Sequence, residues 1–217
     1  MAYPTIDKPY GFRPVNLLGG QVFAGSTRQI PIASGHGTAI FFGDLVVMSA
    51  NGCVNNATST NSGNDFLGVF MGCSYINTQG QRVYAQYYPA STTGTADTAN
   101  GISAYICDDP DVVMRVAIVS GTTVVAQAAR SSLVGGNVAW VANLGSTITG
   151  DSQQAVLNAS VTTSTVPLKI IDVVPDTSPA SGSFVEVLVS WNQNIHLYRS
   201  WTGVEGANTW LFHAHNY

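Results

Sequence analysis

Between positions 65 and 89 the alternation of apolar and polar residues is that of a β-hairpin. Phe66, Leu67, Val69, Phe70, Met71, Cys73 and Tyr75 make an apolar and aromatic run, and Asn77 to Gln81 supply a polar turn before Arg82 to Tyr88. In the second strand Val83, Ala85 and Tyr87 would face one way, and Arg82, Tyr84, Gln86 and Tyr88 the other, the period of two of a half-buried sheet. Gly68, Gly72 and Gly80 would each weaken a helix by about 1 kcal/mol relative to alanine. In strands, glycines mark bulges or close approach of two backbones.

The same pattern recurs along the chain. Strands are expected at 28–32, with Pro31 marking an edge, and at 38–42 and 45–48. The Asn51-Gly52 turn should join the last of these to Cys53 and Val54. Residues 102–107 and 112–119 flank Asp108-Asp109-Pro110-Asp111, a hairpin or a strand corner. Residues 167–174 and 184–191 are further strands, and Val185, Val187, Val189 and Trp191 share a face that belongs in the core. Residues 122–125, 138–141 and 147–148 read as short strands, and 152–157 as a helical turn capped by Asp151. Residues 55–64, 91–101 and 175–182 are loops by composition. The fold class is therefore all-β: a barrel or sandwich, jelly-roll topologies included, of short antiparallel strands spanning 25–198.

The two ends differ from this middle. Residues 1–24 carry Pro4, Pro9 and Pro14 among Tyr3, Tyr10, Phe12 and Val15, a spacing that denies helix and favours an extended arm. Its aromatics need a cover, either the chain's own domain or a neighbouring subunit. Residues 199–217 hold Trp201, Trp210, Leu211, Phe212, His213, His215 and Tyr217 without a strand period, and read as an aromatic tail clamped onto a surface.

Composition narrows the functional classes. Of the 217 residues only 9% are charged, 45% are hydrophobic, and the net charge is -4. The usual charged share is about 25%, so the surface has little electrostatic defence against association, and life in an oligomer or assembly is expected. With no basic cluster, nucleic acid is not an expected partner. No apolar run approaches the roughly 20 residues of a membrane span, and the amino terminus shows no export signal, so synthesis in the cytoplasm and no membrane partner are expected. Cys53, Cys73 and Cys107 are odd in number and far apart, and read as buried free thiols.

No nucleophile elbow, phosphate loop or dinucleotide fingerprint occurs, and no enzyme or cofactor is expected. Asp108, Asp109 and Asp111 lack the spacing of a calcium loop and read as a solvated turn. His213 and His215 would lie on one side of a strand, but no third metal ligand is near in sequence. Asn56-Ala57-Thr58 and Asn158-Ala159-Ser160 match the glycosylation triplet by chance, given no export signal. Ser131, Ser132, His36 and His196 have no partner that the sequence reveals.

Several segments together resemble a known family. Tyr10-Gly11-Phe12-Arg13-Pro14-Val15, Leu17-Leu18-Gly19-Gly20 and Gly25-Ser26-Thr27-Arg28-Gln29 are similar to the start of small structural proteins encoded beside capsid genes in tailed bacteriophages. Phe42-Gly43-Asp44-Leu45-Val46, residues 67–75, Ala104-Tyr105-Ile106, Asp108-Asp109-Pro110-Asp111-Val112 and Pro167-Leu168-Lys169-Ile170 continue the likeness in the same order, over about residues 10–197. The tail after Trp201 has no counterpart in it. The resemblance implies a head decoration or cement protein in the virion. Such a protein binds the outer face of the icosahedral capsid and bridges major capsid subunits against the pressure of packaged DNA.

On that reading the partners are the major capsid protein and other copies of this chain, as a dimer or trimer. Binding the assembled lattice better than free subunits would convert binding energy into lattice stability. The expected contact residues are Tyr10, Phe12, Arg13, Leu17 and Leu18 of the arm and Trp201, Trp210 and Phe212 of the tail. The alternative for each is packing on its own domain. Removing residues 1–19 is accordingly expected to leave a folded domain with weakened shell binding. Two other readings stand beside it: a tail- or fibre-associated structural protein, and a carbohydrate-binding or hydrolytic β-domain. The latter would use Trp191, Trp201, Tyr87 and Tyr88 as stacking platforms with Asp108 or Asp111 as acid, although a glycosidase needs two facing carboxylates.

Overall fold

A computed structural model of the protein describes residues 8–58, 66–92, 101–120, 123–124, 133–158, 166–174, 184–193 and 195–199. In chain order its strands are β1 (Arg13–Leu17), β2 (Arg28–Pro31), β3 (Leu45–Met48), β4 (Val54–Asn56), β5 (Phe66–Ile76), β6 (Arg82–Ala85) and β7 (Ile102–Cys107). They continue as β8 (Val112–Ser120), β9 (Thr123–Val124), β10 (Asn137–Val138), β11 (Trp140–Val141), β12 (Ala155–Leu157), β13 (Leu168–Val173) and β14 (Val185–Trp191). A 3-10 turn, Leu197–Arg199, ends the described chain.

The strands form two sheets packed as a sandwich, not a closed barrel. One runs β10-β13-β14-β8-β12-β11, with β1 and β9 also paired to β8, and the other runs β2-β7-β5-β3-β4, with β6 on β5. Among these strands every ladder is antiparallel except that of β8 with β12. In the second sheet a single bridge from Ile32 to Val54 brings the two ends together, so that this sheet curls around a core of its own.

Alternation along β8 and β14 makes the main core. Val112, Met114, Val116 and Ile118 meet Val185, Val187, Val189 and Trp191 there, facing Leu45, Phe66 and Val69 of the other sheet. The second core, inside the curl, holds Ile30, Leu67, Phe70, Cys73, Ala104 and Ile106, and is closed by Ile40 and Tyr88 from flanking segments. Strand β5 serves both: Phe66, Val69 and Met71 meet the main core and Leu67, Phe70 and Cys73 the second, an alternation that shifts first around Leu67-Gly68, against β3. Gly72 resets that alternation: three residues on β5, from Phe70 to Cys73, span what two steps on β7 cover, and Gly72 takes a φ of +130°. Gly68 is a close approach, since a Cβ there would lie 2.1 Å from the Cys107 carbonyl oxygen.

Several expected boundaries shift. The hairpin's second strand stops at Ala85, and Tyr88 turns inward to pair with Ile40, so it does not share the exposed face of Tyr84. Residues 38–42 make isolated bridges at Ile40 and Phe42 in place of a strand. Residues 152–157 are not a helical turn: Ala155–Leu157 is β12, with Val156 buried opposite Ile118, and Asp151 is bound by Arg13 and Gln86 instead of capping. Thr147 and Ile148 lie in a turn. The segment 108–111 is a corner and not a hairpin, because β7 and β8 belong to different sheets. At Asn51-Gly52 the expected turn does join β3 to β4, with Gly52 at a φ of +77° and the Asn51 side chain accepting from the Cys53 N–H.

Candidate contact surface

The expected arm separates into a buried part and an exposed tip. Phe12 is fully buried in the main core, and Arg13–Leu17 pairs with β8 at Val112–Arg115, an edge that the shorter β12 leaves open. The Phe12 N–H donates to the Gly43 carbonyl at 2.8 Å, while Gly43 N–H donates to Phe70 and Phe70 N–H to Asp44. Arg13 donates to the Phe42 carbonyl at 3.0 Å and to Asp151 at 2.7 Å, and its guanidinium lies 4.2 Å from the centre of the Phe42 ring. Tyr10 donates to buried Glu186, which also pairs with Arg115. Leu17 packs against the main core. Tyr10, Phe12, Arg13 and Leu17, expected as contact residues, thus have partners within the domain: Arg13–Leu17 fills the open edge of β8, and the Phe12 ring fills the core.

At the centre of this junction Asp44 is buried, accepting from Phe41 N–H at 2.8 Å and from the Ser152 hydroxyl at 2.6 Å. Burial pushes its carboxyl up to about 6, against the pull of those two donors and of Arg13. The segments around Gly11-Phe12-Arg13, Phe42-Gly43-Asp44 and Phe70, far apart in sequence, meet here. Their contacts tie these segments into one folded unit.

Leu18 has a different environment. It is 49% exposed, Val22 beyond the turn is 76% exposed, and the Leu18 N–H donates to the Asp111 carbonyl at 2.8 Å. That contact places the tip beside the β7-β8 corner. Asp111 also takes Arg199 at 2.7 Å, and Asp108 takes Arg28 at 2.9 Å and the Tyr198 hydroxyl at 3.0 Å. The Arg28 guanidinium lies 5.1 Å from the centre of the partly exposed Tyr198 ring. Leu18, Val22 and Tyr198 therefore share one end of the sandwich with two surface ion pairs. Exposed apolar side chains and paired charges thus collect at this end. The expected tail contacts Trp201, Trp210 and Phe212, and the pair His213 and His215, lie outside the described residues.

The corner aspartates are engaged by arginines from β2 and the 3-10 turn, and Asp109 accepts the Asp111 N–H at 2.8 Å. Among the described residues no cluster of three or more histidines, cysteines or carboxylates is placed to hold a metal. Of the expected sugar platform, Trp191 and Tyr88 are buried in the cores, Tyr87 stacks on Phe41 at 5.5 Å, and Trp201 lies outside the described residues. Cys73 and Cys107 are buried free thiols pushed up by burial, to about 12 and about 11, while Cys53 is only half-buried. His36, without a partner in the sequence reading, contacts the Asn56 side chain at 3.0 Å, and the Asn56 amide donates to Ala39.

Sequence reasoning missed Val22, Tyr198, Leu144 and Ile148. The last two, 77% and 95% exposed, stand on the loop between β11 and β12, which also borders a shallow cavity of about 230 Å³ with Lys8, Tyr10 and Asp151. For Leu144, before Gly145-Ser146, and Ile148, between Thr147 and Thr149, a lone apolar residue in a polar stretch was the available signal; Val22 and Tyr198 carried none. No family model matches the chain, and neither does any curated protein or solved structure.

Proposed function

We propose that this protein is a structural component of a bacteriophage virion that decorates the outer face of the capsid and bridges major capsid subunits. The observation that carries the reading is the corner end of the sandwich, where Leu18, Val22 and Tyr198 stand exposed near the Arg28–Asp108 and Arg199–Asp111 pairs. The low charge of the chain and the ordered likeness of its segments to head decoration proteins support it. A cement needs no reaction centre; it needs contact area that must be broken before the shell opens. Binding across a seam favours the assembled lattice by mass action.

Co-sedimentation with capsids that lack the protein tests the reading. Saturable binding at a lattice-set stoichiometry, with DNA release moved to higher temperature, is the expected result. The double variant Leu18→Asp, Val22→Asp should bind at least about tenfold more weakly, a loss of about 1.4 kcal/mol. Absence of binding to shells overturns the proposal, and binding to tails alone replaces it with a tail-associated role.

A further inference from the structure

His196 is an unusual residue to find under this corner. It follows β14, is 1% exposed, and bridges to Phe66 of β5. Its ring lies edge-on to Trp191 at 5.5 Å and tilted against Tyr198 at 5.3 Å. Its Nδ1 accepts the Tyr198 N–H at 3.3 Å, so the ring's own proton sits on Nε2, beside the Leu67 backbone. Nε2 has no partner of hydrogen-bonding geometry among the described residues. The ring is held by the accepted Tyr198 bond, by the neighbouring Leu67 backbone, which favours its protonated form, and by packing.

We propose that His196 is an acid-sensitive latch: a proton taken up on Nδ1 displaces the Tyr198 N–H and frees Leu197–Arg199 from the Asp108–Asp111 corner. Protonation works against the closed state, because a protonated Nδ1 is a donor facing a donor. Once Tyr198 moves, its hydroxyl leaves Asp108, and Arg199 next to it loses its fixed approach to Asp111. The charged groups around the ring are Asp108 and Asp109 of the corner, which favour its protonation, and Arg199, which opposes it. Arg28 of β2 also reaches this place through Asp108. Burial outweighs all of these and pushes the imidazole down to about 4. The latch is therefore closed at neutral pH and opens under acid, uncovering the Phe66 end of β5 and one side of the exposed patch.

The test is amide hydrogen exchange of residues 197–199 in the full chain, compared at pH 7 and pH 4 after correction for intrinsic exchange, beside His196→Gln. Glutamine can accept the Tyr198 N–H and donate toward Leu67 without titrating. With an imidazole near 4 when closed and near its ordinary 6.5 when open, wild-type protection should fall on the order of a hundredfold between the two pH values. His196→Gln should change at least about tenfold less. Both proteins retain Asp108 and Asp111, so loosening caused by those carboxylates appears in both. Equal loss in the two proteins overturns the latch, and so does unchanged protection in the wild type. Should the variant not fold, wild-type NMR decides: the Tyr198 amide and the His196 ring must titrate with one midpoint, and separate midpoints refute the proposal.

Discussion

The junction around Phe12 and the corner around Asp108 are built from similar materials to opposite ends. Each joins the amino-terminal segment to distant strands, each contains an arginine paired to an aspartate, and each holds a buried titratable group shifted by burial, Asp44 at the junction and His196 at the corner. At the junction, the glycines let backbones touch, and Asp44 and Arg13 find partners inside the domain. At the corner the ion pairs lie at the surface, and Leu18 and Val22 beside them face solvent. The lesson is that an aromatic, proline-rich segment is not by itself an interface. Its role changes within six residues, from Phe12 in the core to Leu18 outside it.

The largest effect should come from breaking the junction. Deleting residues 1–19 removes the Phe12 ring and uncovers the β8 backbone at Val112–Arg115. Because so many buried contacts leave together, the remainder should not fold cooperatively in a thermal melt. Phe12→Ala alone should cost about 3–5 kcal/mol in denaturant unfolding. A truncated chain that melts like the wild type would return this segment to the status of a free arm. Gly68→Ala ranks next, since its Cβ would meet the Cys107 carbonyl, which is backbone and cannot swing aside. We expect a loss of more than about 2 kcal/mol, within the range for overpacking.

Much of this was legible in the sequence, and the rest was hidden for a physical reason. Val112 to Val119 and Val185 to Trp191 announce themselves because alternation is local and both strands are central. Asn51-Gly52 likewise fixes its turn alone. The fate of the Phe12 segment is not local: Pro14 excludes helix but is tolerated on an edge strand, and only the open edge of β8 decides that Arg13–Leu17 becomes that strand. Tyr88 could not be assigned by extending the alternation from Val83, because the strand ends before it and Ile40, 48 residues away, decides its direction. The corner is hidden in the same way: it gathers side chains from β2, from the β7-β8 connection and from the end of the described chain.

Asp44 and His196 sharpen the comparison because the signs of their shifts are opposite. Asp44 is raised from 3.8 to about 6, so its contribution is fully present below about 3.8 and is lost as pH rises through 6. His196 is lowered from 6.5 to about 4, so its contribution is present above 6.5 and is lost as pH falls through 4. Each is worth about 3 kcal/mol at most, at about 1.4 kcal/mol per unit. Between pH 4 and 6.5 they largely cancel. Asp44→Asn should expose the histidine slope, with stability rising with pH across that window. His196→Gln should expose the carboxylate slope, with stability falling. Denaturant midpoints at pH 4, 5 and 6.5 check both, and parallel slopes in the two variants would break the assignment.

The smallest effects belong to the corner surface. Arg199→Ala removes a pair whose side chains are about half exposed, so water and salt already screen it, and well under 1 kcal/mol of stability should be lost. Leu18→Asp and Val22→Asp should each change stability by less than about 0.5 kcal/mol, because neither side chain fills the core. That near-neutrality is the useful outcome. A residue that costs nothing to the isolated domain yet weakens shell binding is held for a partner, whereas one that costs several kcal/mol is held for the fold. Measured together by denaturant unfolding and co-sedimentation, Phe12 should fall wholly in the second class and Val22 wholly in the first. If Val22→Asp destabilised the domain as Phe12→Ala does, the division between junction and corner would fail, and the patch would be a further part of the core.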